Sequence, residues 1–151
     1  MTRLHDRQRG RVYAWEDRFI APEAKGSLSF AESQRLVDAI WRDLGLQFPP
    51  RVEPMPRQAR RRLADASRLC LRLPPSMPYW VFLHEVAHAL SSTEDGSSDG
   101  HGPAFMGLYV QLLHRYLRFA PEQLLVSLAA ARIEINPAAR PAFLDKVADP
   151  R

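Results

Sequence analysis

Apolar residues first recur at helical spacing between Asp6 and Ile20. There Val12, Trp15 and Phe19, with Tyr13 and Ile20 beside them, are separated by charged residues, and Pro22 closes the segment. Gly10 weakens that helix slightly. Ser29 followed three residues later by Glu32 is a capping-box pattern. It opens a helix running to about Leu44 that buries Phe30, Leu36, Val37, Ile40 and Trp41, with Gly45 as its stop. From Phe48 to Pro56 prolines forbid helix, and Val52 fits a short edge strand. Leu69 to Leu73 alternates as a strand and ends at Pro74 and Pro75.

The most apolar stretch, Met77 to Ser91, reads as a buried helix starting near Pro78 or Tyr79. Ser91 to Gly100 is a polar, Gly/Ser-rich loop. Pro103 suits the first turn of a helix reaching about Phe119, apolar at Phe105, Met106, Leu108, Tyr109, Leu112, Leu113 and Tyr116. Pro121 to Ala131 predicts a further short helix, and Ile133-Glu134-Ile135 a closing strand. Beyond Pro137 the pattern fades, and about 137–151 reads as a loosely packed tail.

Composition narrows the class. A chain of 151 residues, 46% hydrophobic and 25% charged, is expected to form a single domain over 1–151 with a real core. The net charge of +4 is carried almost wholly by arginine. It permits contact with nucleic acid or another polyanion without requiring it. Arg57, Arg60, Arg61 and Arg62 cluster, which reads as a solvated face and, in the sharper alternative, as a polyanion contact. The one cysteine, Cys70, excludes a disulfide framework and a Cys-rich zinc site; its apolar neighbours predict a buried, inert thiol. Met1 to Phe19 lacks an apolar signal core and no stretch approaches a membrane span, so the expected compartment is the cytoplasm, with no membrane partner.

The chemistry lies in His84-Glu85-Val86-Ala87-His88, an HExxH motif inside the apolar helix. Residues four apart stand one turn apart on one helix face, so both imidazoles can reach a single Zn2+ ion. Glu85, one step round, is placed to take a proton as general base rather than to bind the metal. Trp80, Val81, Phe82, Leu83, Val86, Ala87, Ala89 and Leu90 flank these polar side chains, whose burial is costly unless something binds them. A catalytic zinc needs a third protein ligand. Glu94, Asp95, Asp99, His101 and His114 all follow. The metzincin pattern requires Gly and His where this chain has Ser91 and Glu94, so that class is excluded. His101 is the strongest candidate because it follows a loop long enough to turn back and directly precedes the Gly102-Pro103 helix start; Glu94 is next. His114 reads as a surface or interface histidine, or else as a hydrogen-bond donor to the transition state, a role equally open to Tyr109 or Tyr116. Asp95 and Asp99 read as loop residues, or as acceptors that orient ligand imidazoles.

The pair His84-Glu85-Val86-Ala87-His88 and His101-Gly102-Pro103-Ala104-Phe105 resembles the HExxH…HGPxF signature of SprT-like zinc metallopeptidases. The chain is more similar still to a family of small actinobacterial HExxH-motif metallohydrolases. It resembles them in length, in the segment Asp6 to Arg9, Val12-Tyr13 and Glu16-Asp17, and in the Leu73-Pro74 strand end. The resemblance implies an α+β, zincin-like domain with helices on a small mixed sheet and HExxH on a central helix. It also implies zinc held by His84, His88 and His101, and hydrolysis of a peptide or protein substrate. Unlike typical SprT-like proteins, the chain has no Cys-rich ribbon, so a role in DNA-linked repair loses its support. The alternative from another class is a non-catalytic module whose zinc stabilises a nucleic-acid- or protein-binding surface.

Overall fold

The computed structural model describes residues 6–55, 65–93 and 95–142. Helix α1 (Arg9–Trp15) continues without a break into a π-helical turn, Glu16–Ile20, in which the Ala21 N–H reaches the Glu16 carbonyl at 2.8 Å. Val12, Trp15 and Ile20 face the core, and the Trp15 indole donates to Ser127 Oγ at 2.8 Å. Strand β1 (Ser27–Ser29) leads into α2 (Phe30–Asp43). The Ser29 N–H donates to Glu32 Oε1 at 3.3 Å, as the capping box requires. Val37, Ile40 and Trp41 form the buried stripe of α2. At its end the Gly45 N–H meets Arg42 O and the Leu46 N–H meets Trp41 O, a Schellman stop.

Strand β2 (Arg51–Pro54) lies parallel to β4 (Cys70–Leu73), and β3 (Asp65–Ala66) flanks β4 antiparallel, giving a mixed three-stranded sheet with β2 at one edge. Leu71 and Leu73 turn inward. Cys70, on the opposite face of the strand, is half-buried rather than buried as expected, and Leu69 is exposed. Strand β5 (Ser76–Pro78) pairs antiparallel with β1, Leu28 opposite Met77. The sequence pattern predicts neither of these three-residue strands, because each buries a single residue, Leu28 or Met77, and offers no periodicity to read. The architecture is α+β.

Helix α3 (Tyr79–Leu90) is the centre of the molecule, packed against β3, β4 and β5 on one side and α4 (Pro103–Leu117) on the other. It buries Phe82, Leu83, Val86, Ala87, Ala89 and Leu90. Helix α5 (Pro121–Ala130) follows. The closing strand expected at Ile133–Ile135 does not form. The Gln8 side chain takes both backbone groups of Glu134, accepting from its N–H at 2.6 Å and donating to its carbonyl at 3.2 Å, in the place where a partner strand would bond. The chain then straps across α4, where the Asn136 carbonyl lies so close to Gly107 that a Cβ there would sit 1.8 Å from it. Gln111 holds the Pro137 and Ala139 carbonyls, and the Ala142 N–H reaches Leu90 O, so 137–142 is hydrogen-bonded to α4 and α3, while the rest of the expected tail, 143–151, lies outside the described residues. Among the described residues no helix is long and apolar enough to cross a membrane.

Candidate metal centre

His84 and His88 project from one face of α3, their ring centroids 4.9 Å apart. His101 arrives from the turn before α4, which Asp99 fixes by accepting from the Ala104 and Phe105 N–H groups at 2.7 and 3.2 Å. The Asp99 carboxylate is thus taken up by backbone N–H groups at the start of α4 rather than by an imidazole. The three Nε2 atoms converge: His101 Nε2 lies 3.2 Å from His84 Nε2 and 3.2 Å from His88 Nε2. A tetrahedral ion with metal–nitrogen bonds of about 2.05 Å separates its ligands by about 3.3 Å, so the spacing fits zinc. Among the described residues these three histidines are the group able to hold a metal ion, all ligand atoms lying within 4.8 Å of one another. Glu85 is buried on α3 beside His84 and is not part of that group. Glu94, Arg57, Arg60, Arg61 and Arg62 lie outside the described residues.

The proton positions sharpen the point. Each outer imidazole nitrogen of the His84–His101 pair meets a carboxylate. His84 Nδ1 contacts Glu16 Oε2, and His101 Nδ1 contacts Asp6 Oδ2 at 2.8 Å. Ionised carboxylates only accept, so the hydrogen-bond network assigns the proton to Nδ1 in both rings. The Nε2 lone pairs then face each other at 3.2 Å with no hydrogen between them. A cation at their meeting point converts that repulsion into coordination. Burial pushes His88 well below its ordinary value, and the His84 and His101 rings add to the effect against an opposing pull from Asp6. His88 is thereby kept in its neutral, ligating form.

The surroundings hold this geometry rigidly. Phe105, fully buried, stacks on His88 at 4.3 Å between centroids and meets His84 and His101 at 5.1 and 5.0 Å. Asp6 also accepts from the His101 N–H at 3.0 Å, while Gln8 donates to the His101 carbonyl at 2.8 Å. Gly100 adopts φ +64° and passes so close to Asp6 that a Cβ would lie 2.8 Å from the carboxylate carbon. Glu16, fully buried, accepts a second hydrogen bond from the Tyr109 hydroxyl at 2.7 Å, so Tyr109 stands behind His84 through Glu16. Tyr116 donates to Asp43 at 2.7 Å, and His114 is exposed with Nδ1 at the Phe119 carbonyl. Asp95 is bound up with Thr93 in its own turn.

The sequence reading missed Asp6 and Glu16, which reach their histidines across 95 and 68 residues. No local spacing announces such contacts. The signal available was the N-terminal segment of the family resemblance, which contains both. No family model, no curated protein and no solved structure matches the chain.

Proposed function

We propose that this protein is a zinc-dependent hydrolase with a zincin-like fold, acting on peptide bonds, and that it belongs with the small HExxH metallohydrolases it resembles. The observation that carries the reading is the convergence of three Nε2 atoms, with the His84 and His101 rings held from behind by carboxylates. His84, His88 and His101 would hold the metal, and three protein ligands leave a fourth position for chemistry. A bound zinc supplies Lewis acidity, lowering the pKa of water toward about 7 and polarising a carbonyl. Glu85, on the same helix but outside the ligand group, accepts the proton from the attacking water and returns it to the leaving nitrogen. Asp6 and Glu16 keep the ligand rings in the required tautomer.

The test pairs metal analysis with a Glu85→Gln variant. Both parent and variant should carry one zinc per chain, while cleavage of a fluorogenic peptide library by the variant falls at least about 100-fold. Equal cleavage rates, or a parent that takes up no metal, would sink the reading.

A further inference from the structure

Three side chains of α1 and its π turn lie at i, i+4 and i+7 and share one face: Arg9, Tyr13 and Glu16. Their burial is graded. Glu16 is fully buried behind His84, Tyr13 is half-buried, and Arg9 is exposed. Of the aromatic rings that touch ligand imidazoles, Phe105 and Tyr109 are fully buried, whereas Tyr13, which meets His101 at 5.2 Å and His84 at 6.2 Å, is half-buried. His88 is likewise half-buried. The partly exposed rings at the triad are thus Tyr13 and His88, and α1 supplies the wall that carries Tyr13.

Arg9 stands at the outer end of this wall. Its guanidinium lies over the Tyr13 ring, 5.7 Å from the centroid, and the interaction with Tyr13 holds it above its ordinary value. Among the described residues no carboxylate forms an ion pair with it; Asp6, a neighbour on the same segment, adds a weaker attraction while hydrogen-bonded to His101. A guanidinium anchored on an aromatic face, charged, and about 10 Å along a helix from the buried end of the site is pre-oriented for an anion. We propose that Arg9, positioned by Tyr13, selects substrates carrying a carboxylate within about three residues of the scissile bond. This rests on the hydrolase reading and names the substrate class for that same site.

The experiment uses the full chain loaded with cobalt(II), whose visible spectrum reports an added metal ligand. Acetohydroxamic acid and the monohydroxamate of succinic acid, which differ by a carboxylate, are titrated in low salt. The parent should bind the succinyl probe about tenfold more tightly, and Arg9→Gln should bring the two within about twofold. A parent that binds both equally, or a preference that survives Arg9→Gln, overturns the proposal. Acetohydroxamate binding by the variant reports that its site is intact. If neither probe perturbs the parent's cobalt spectrum, the open metal position is missing, and the hydrolase reading falls together with this one. Two fluorogenic peptides identify the source of the carboxylate, one amidated and bearing Glu, the other with a free C-terminus and Gln in its place. Slower cleavage of either or both by Arg9→Gln supports the proposal, and a variant that cleaves both as fast as the parent overturns it.

Discussion

At the scale of single residues, the site's strength lies in what stands behind the ligands. Asp6 and Glu16 each accept from a ligand Nδ1–H, which fixes ring orientation and raises the basicity of Nε2. Asp6→Asn and Glu16→Gln are each expected to weaken zinc binding about 10- to 100-fold in competition with a chromophoric chelator. Affinities within threefold of the parent would assign these carboxylates a purely structural role. His88 gives a pH signature in the metal-free protein. Its folded-state value is depressed, so below its ordinary value of 6.5 the unfolded chain binds more protons than the folded one. Stability is therefore lost as pH falls through that value toward the depressed one. Thermal melts in chelator from pH 7.5 to 5.5 should show that decline, and His88→Asn should flatten it.

At the scale of elements, the helices were legible because each carries several turns of apolar periodicity bounded by a recognisable cap or stop. Ser29 with Glu32, Gly45, and the prolines at 103 and 121 act where the sequence placed them. HExxH and His101 were legible for the same reason: helical spacing and a helix start are local properties. The short strands β1, β3 and β5, the Gln8 clamp on Glu134 and the contacts from α1 to the ligands were not, since tertiary pairing alone determines them. The strap across α4 makes a test of such pairing. Gly107→Ala would drive a methyl into the Asn136 carbonyl and should cost about 3 kcal/mol in denaturant unfolding. A variant as stable as the parent would mean the strap is not held there. The link from α4 to α2 has its own signature. Burial, then the hydrogen bond to Asp43, push the Tyr116 hydroxyl up to about 12. The folded state thus favours the neutral phenol; this contribution is intact below its ordinary value of 10 and is lost as pH rises from there toward about 12. Tyr116→Phe should remove that segment of the stability–pH curve.

At the scale of the whole molecule, a metal held by the three imidazoles would join parts that the chain keeps far apart. The N-terminal segment through Asp6 and Glu16, the central helix α3 and the start of α4 all meet at the three imidazoles. Metal binding should therefore stabilise the global fold rather than one loop. Zinc at 1,000 times its dissociation constant adds about 4 kcal/mol, so calorimetry should show one cooperative transition that moves down on chelation. A chelator-insensitive melt would contradict this. The same arrangement has a consequence for engineering. His101 is gripped by Asp6 through ring and backbone, by Gln8 through its carbonyl, and by the capped start of α4, whereas the bend from Thr93 to Ser97 bonds to itself. That bend joins the two halves of the site without setting their distance, and doubling a flexible connection costs only about 0.6 kcal/mol. A fluorescent domain spliced between Asp95 and Gly96 should ride outside the fold while the imidazoles stay in register, making the protein a scaffold for a genetically encoded metal sensor.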